Sequence, residues 1–349
     1  MTTSEAAESP DSEPGFPVVS SSPDEAVPPA PPKPRVGKVD LALGVLNGVL
    51  GDYLHRQNNA LATPMGLYHE GRALPVEREA LRSAHPHSTG RVALWVHGLA
   101  VTEAVWAFPA EPTTDYGSLL ERDAGFTPLY LRYNTGLHIS DNGEALAHLL
   151  QRLVAEFPVP ITELVLVGYS MGGLVLRSAC HIASEACLPW LSLVRRSYSI
   201  GVPHFGSPLE RMGTVVAQVL RAVPNPYTRL VADVVDLRSS GVKDLGVARL
   251  RRQDWEDTTS PCTPLLPPPG IAHHLIVGAL GEQGKWLSAM FGDGVVSLAS
   301  ASGRTGPRDT SPLFPPENVK VVAGIDHVSL AHHAEVYARL RESLAVEVA

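Results

Sequence analysis

The chain is poor in cysteine, with three in 349 residues: Cys180, Cys187 and Cys262. An odd, sparse set does not make a disulfide framework. Cys180 and Cys187 fall about two turns apart on a predicted helix, too far to bridge along it. All three read as reduced thiols, which fits the cytoplasm, and no motif around them supports a nucleophilic cysteine. Positive charge is also scarce. Lys and Arg number 28 against 36 Asp and Glu, a formal net charge of −8. That balance excludes a nucleic-acid binder working through phosphate contacts. The N-terminal stretch MTTSEAAESPDSEP lacks the basic region and apolar run of a secretory signal. The most apolar early segment, Leu41 to Leu50, is broken by Gly44, Asn47 and Gly48 and is too short to span a bilayer. The expected location is cytoplasmic. Metal-ligand spacing is missing as well. His273 and His274 would point to opposite faces of a strand, so no metal or organic cofactor is expected.

What the chain does have is apolar content: 44% of residues are hydrophobic, enough for a sizeable core. Its length suits one large α/β domain with insertions. Residues 1–37, rich in Pro, Ser, Glu and Asp, bury too little apolar surface to offset their ordering entropy and read as a disordered tail. Residues 38–349 form the predicted domain. Within it, residues 39–57 carry Leu41, Val45, Val49 and Tyr53 at helical spacing. This helix is expected to pack on the domain, with a partner-binding or lipid-surface contact as the alternative.

From Arg91 onward, short apolar runs alternate with helical patterns. Strands are expected at Val92–Val96, Leu129–Tyr133, Leu164–Val167, Arg196–Ile200, His274–Ala279 and Val319–Ala323. Helices are expected at Gly143–Phe157, Met171–Glu185 and His327–Leu344. Such alternation implies a mostly parallel central sheet flanked by helices. The connection from about 209 to 269 is far longer than a crossover needs. It reads as a helical cap insertion over the carboxyl ends of the strands, with Val215, Val216, Val219 and Leu220 offering apolar surface either to the cap's own core or to an acyl group.

Four motifs carry the chemistry. Gly168-Tyr169-Ser170-Met171-Gly172 is a G-x-S-x-G pattern, which arises by chance about 0.2 times in a chain of this composition. Its setting decides the matter: a strand runs straight into it and a helix leaves it, as a nucleophile elbow requires. The sharp turn strains the serine backbone, and only small residues fit two positions to either side. His97-Gly98-Leu99 ends an earlier strand. The backbone N–H groups of Leu99 and Met171 are the expected oxyanion donors, and His97 itself reads as a structural hydrogen-bonder. Gly292-Asp293-Gly294 follows the strand at 274–279, so Asp293 is the expected acid, with Asp257 and Glu282 as rivals. Asp326-His327 follows the last strand and makes His327 the expected base, with His332 and His333 placed on the surface of the helix beyond it. The order Ser170, Asp293, His327 is the Ser…Asp…His order of α/β-hydrolases.

These residues resemble bacterial esterases and lipases of the α/β-hydrolase superfamily, particularly the GPI inositol-deacylase-like lipases. The resemblance spans about residues 90 to 335. It is carried by VHGL at 96–99, VGYSMGGL at 167–174, GVPHFGSPL at 201–209, GDGVVS at 292–297 and DHVSL at 326–330. Val202 stands where such lipases usually have Thr. The resemblance implies the α/β-hydrolase fold and hydrolysis of a small-molecule ester or lipid. The same triad also serves acyl transfer and thioester cleavage, and a silent hydrolase-fold binding module is the reading of a different class.

Overall fold

The run Val92–Val96, within the strand Arg91–Val96, offers water no polar face, so it must be covered on both sides. In the computed structural model that strand is β3, and its residues alternate between two cores. Val92, Leu94 and Val96 enter one, Ala93 and Trp95 the other. Strand β5 (Glu163–Tyr169) divides in the same way, with Leu164 and Leu166 on one face and Val165 and Val167 on the opposite face. The structure describes residues 37–208, 239–257, 259, 263–281, 292–306, 309 and 311–344. The predicted tail, apart from Gly37, lies outside them, as do Cys262, Glu282 and residues 209–238 of the predicted cap with their apolar stretch.

Eight described strands form one sheet in the order β2-β1-β4-β3-β5-β6-β7-β8. The others are β1 (Gly66–His69), β2 (Arg72–Leu74), β4 (Thr127–Arg132), β6 (Val194–Ile200), β7 (Ala272–Ala279) and β8 (Val319–Ala323). Strands β1 and β2 pair antiparallel, and β1 is antiparallel to β4. From β4 to β8 all pairs are parallel. Helices α4 (Ile139–Glu156) and α5 (Met171–Glu185) cover one face, and α3 (Tyr116–Ala124) and α9 (Ala334–Leu344) the other. This mixed, mostly parallel sheet between helical layers is the α/β-hydrolase fold.

The short hairpin β1–β2 is not expected from the sequence. Its two-residue turn, Glu70-Gly71, has positive φ at both positions, 50° and 77°. That is the backbone of a type I′ turn, usually signalled by Asn-Gly or Asp-Gly; Glu gives no such signal, and strands of four and three residues show no period. The helix α2 (Arg78–Ala84) and α3 are likewise additions. Helix α3 is capped at its start by Asp115, whose Oδ1 accepts from the Ser118 N–H at 2.8 Å, and at its end by Gly125, φ 67°. Helix α1 (Lys38–Arg56) and the core of each expected strand lie where the sequence places them.

Two expectations are corrected. The final helix does not begin at His327. The Asp326 carboxylate accepts from the Ser329 N–H and Oγ–H at 3.0 and 2.9 Å, closing a tight turn. A 3₁₀ turn follows at Ser329–Ala331, and α9 starts only at Ala334. His332 therefore sits before the helix rather than on its surface, with Nδ1 3.0 Å from the Val105 carbonyl oxygen; His333 also precedes α9. The helix expected from Gly143 begins a turn earlier, at Ile139. Of the predicted cap, residues 209–269, the described part holds α6 (Ser240–Val247) and the short α7 (Gln253–Glu256). Among the described residues a further short helix, α8, spans Leu298–Ala301.

Candidate active site

The loops that leave the carboxyl ends of β3, β5, β7 and β8 carry the residues the sequence singles out. This is the edge where parallel α/β sheets bind ligands. Ser170 stands between β5 and α5 with φ 52° and ψ −126°. A residue with a side chain in that region stores of order 1–3 kcal/mol of strain and persists only where its surroundings over-determine it. Here the Ser170 N–H donates to the Ile200 carbonyl at 2.9 Å, and the Ser170 carbonyl accepts from Gly173 at 3.1 Å. Close approach enforces the small residues around it. A Cβ on Gly172 would lie 2.3 Å from the Val96 oxygen and 2.5 Å from the His97 oxygen, both backbone atoms that cannot swing away. Gly172→Ala is expected to lower stability by about 2–3 kcal/mol through overpacking, read as a fall in the urea midpoint with an unchanged slope. Val202 packs its methyl groups directly onto Gly173 of α5.

His327 is brought to Ser170 from 157 positions away, with Nε2 2.9 Å from Ser170 Oγ. Its Nδ1 lies 2.7 Å from Asp293 Oδ2. The other carboxylate oxygen, Oδ1, accepts from the Val295 and Val296 N–H groups at 3.0 and 2.8 Å. The His327 N–H donates to the Asp293 carbonyl at 3.0 Å, so backbone and side chain are both tied across the two loops. All three are buried: Ser170 is 4% exposed, Asp293 2% and His327 1%. Asp257, a rival acid, is exposed and bonds Thr259 instead. Asp326 is engaged with Ser329.

Residues the sequence reading did not mark complete the arrangement. The Tyr169 hydroxyl donates to the His327 carbonyl at 3.0 Å, and its ring lies 5.2 Å from the imidazole. Burial and the Asp293 charge push the Tyr169 phenol well above its ordinary pKa, so it stays a neutral donor. The middle positions of G-x-S-x-G accept many residues, so Tyr169 carried no signal. A second His–Asp contact, His138 Nδ1 to Asp244 Oδ2 at 2.8 Å, joins α6 to the start of α4. It too was illegible, since Asp244 and His138 are 106 residues apart.

Gly98 abuts Ser170: a Cβ there would stand 2.9 Å from Ser170 Cβ. Leu99 follows it, and Met171 is the first residue of α5, where helix N–H groups have no partner within the helix. His97 is fully buried, stacked on Tyr133 at 4.6 Å, with Nδ1 2.9 Å from the Gly98 carbonyl oxygen. Burial, with a smaller contribution from Arg132, lowers its pKa from 6.5 to about 4 against the opposing Gly98 bond. The folded chain therefore holds His97 neutral, while the unfolded chain protonates it below pH 6.5. Stability from this group is full above pH 6.5 and falls as pH drops toward 4. At 1.36 kcal/mol per unit, the loss reaches about 3 kcal/mol. His97→Gln is expected to lose less of its urea midpoint between pH 7 and pH 4.5 than wild type loses. His85 and His273, also lowered to about 4 by burial, keep part of the slope in both proteins.

No protein-family model matches the chain, so the resemblance to inositol-deacylase-like lipases stays with the motifs that carry it. No curated protein matches it either. Among solved structures, the chain is similar to the mature form of the Bacillus licheniformis lipase BlEst2, at 19% identity and a TM-score of 0.46, covering 75% of this chain and 94% of that one. It is also similar to the Pyrococcus furiosus esterase Pf2001, at 13% identity and a TM-score of 0.40, over 73% of this chain and 83% of that one. YbtT, a type II thioesterase from the yersiniabactin pathway, shares 16% identity at a TM-score of 0.37, over 73% of this chain and 92% of that one. Likeness at this level carries no weight for chemistry, which rests on this chain's own residues.

Proposed function

We propose that the protein is a serine hydrolase that cleaves carboxylic esters through an acyl-enzyme on Ser170. The observation that carries the proposal is the unbroken line from Ser170 Oγ through His327 to Asp293, two contacts of 2.9 and 2.7 Å at a strained strand–helix elbow. Serine is a weak nucleophile until a neighbouring base takes its proton. His327 Nε2 accepts that proton as Ser170 Oγ bonds to the ester carbonyl carbon, and the carbonyl electron pair moves onto oxygen. Asp293 holds the Nδ1–H tautomer and stabilises the imidazolium. The N–H groups of Leu99 and Met171 receive the oxyanion. Collapse breaks the ester C–O bond, and the departing alkoxide takes the proton from His327. Water then repeats the sequence, with His327 as base, and releases the acid. A small-molecule ester or lipid is the proposed partner, and no step draws on a metal or organic cofactor.

The test is labelling with a fluorophosphonate beside hydrolysis of p-nitrophenyl esters of graded chain length. Labelling of wild type, lost in Ser170→Ala, with ester turnover, supports the proposal. A folded wild type that neither labels nor turns over ester overturns it. Faster turnover of acyl-thioesters than of matched esters would move the assignment to thioester cleavage.

A further inference from the structure

Helix α1 lies outside every motif that carries the chemistry, yet it packs on the loop that leaves β3. Gly44, Gly48 and Gly51 recur along it at helical spacing, and each lets the helix backbone approach closely. A Cβ on Gly48 would stand 2.7 Å from Ala100 Cβ and 2.8 Å from Ala100 Cα. One on Gly44 would stand 2.9 Å from Thr102 Cγ2 and 3.3 Å from the Val101 carbonyl atoms, and Gly51 faces Asn134 in the loop after β4.

Ala100 is the residue after the proposed oxyanion donor, and its φ is 60°. Alanine in the left-handed region costs roughly 1–2 kcal/mol, so something must hold it there. Its N–H donates to Thr135 Oγ1 at 3.2 Å, and its side chain is wholly buried. The helix that presses on it is fixed along its length. Arg132 binds Asp40 of α1 at 2.7 Å and Glu103, three residues beyond Ala100, at 2.5 Å. Ser239 Oγ–H donates to the Gly48 carbonyl at 2.8 Å, and Asn47 Nδ2 donates to the Leu61 carbonyl at 2.9 Å. On the other side of Leu99, Gly98 touches Ser170. Leu99 is thus held between two contacts, one with the nucleophile and one with α1.

We infer that α1 is a positioning element for the oxyanion donor at Leu99, acting through the contact of Gly48 with Ala100. The inference rests on the serine-hydrolase reading above. A missing oxyanion donor costs about 10²–10³ in kcat, and a displaced one costs less. Gly48→Ala is expected to lower kcat about ten- to a hundredfold while KM changes less than about threefold, because ground-state binding does not use the donor.

Gly90→Ala is the matched control. Its Cβ would stand 2.7 Å from the Pro160 oxygen, an equal intrusion before β3 at the far end of the strands. It is expected to lower the melting temperature and leave kcat within about twofold, because the strain is remote from the reacting atoms. Should Gly48→Ala fail to fold, Gly44→Ala makes a milder intrusion against the Thr102 methyl group, and a three- to tenfold fall in kcat is then expected, roughly. An active wild type whose folded Gly48→Ala or Gly44→Ala variant keeps its kcat overturns the inference alone. So does a loss in kcat that Gly90→Ala matches. A wild type without labelling or turnover overturns the reading beneath it.

Discussion

Ser170→Ala is expected to lower kcat for an ester substrate by about 10⁵-fold or more while leaving the fold intact. Loss of a triad nucleophile costs about 10⁶ in the serine proteases where it has been measured, and the residual rate comes from the oxyanion donors and binding alone. The structural cost is small. Ser170 Oγ makes its contact with His327, whereas the elbow is held by backbone bonds to Ile200 and Gly173 that alanine keeps. Alanine in the same φ is no more strained than serine. The variant should therefore match wild type in urea midpoint and bind a substrate-like ester with little change, and stopped turnover with retained fold is the diagnostic pair. A variant retaining more than about a tenth of wild-type kcat would remove Ser170 from the reaction.

The second large effect is expected from Asp293→Asn, about 10⁴-fold in kcat. The reason lies in the carboxylate's other bonds. Oδ1 accepts two backbone N–H groups, from Val295 and Val296. An asparagine must keep its oxygen there, because an NH₂ group would face two donors. Its NH₂ group then takes the place of Oδ2 and faces His327 Nδ1. To accept from it, His327 must carry its proton on Nε2, which turns a donor toward Ser170 and leaves no base for the serine proton. The substitution nearly preserves shape and reverses the tautomer, so Asp293→Asn should be no more active than Asp293→Ala. Comparing kcat of the two variants tests this. Substantial activity in Asp293→Asn would mean that another acid orients His327.

Different parts of the site were legible to different degrees. The elbow was readable because its signals are local: a buried strand, two glycines flanking a serine, and a helical pattern with nothing between them. The placement of Ser170, Asp293 and His327 was readable because each follows a strand. Tyr169 and the Asp244–His138 pair were not, because nothing within a few residues of either marks it. The start of the last helix was misread for a related reason. The apolar pattern runs on through Leu330 and Ala331, which are buried, but the Asp326 carboxylate captures the Ser329 donors and delays the helix to Ala334. Helix α1 was visible by its period, yet its bearing on Leu99 was not.

The sequence by itself determined helix α1, the strands β3 to β8 and the helices α4 and α5, and that Ser170, Asp293 and His327 each follow a strand. Burial periodicity and turn chemistry are properties of neighbours in the chain. Only the tertiary structure decided that residues 34 and 157 positions apart meet at 2.7 and 2.9 Å, that the hairpin β1–β2 extends the sheet beyond β4, and that Gly48 rests on Ala100. Those contacts depend on the order in which strands pair and on how closely two backbones approach, and neither is written in any one stretch of sequence.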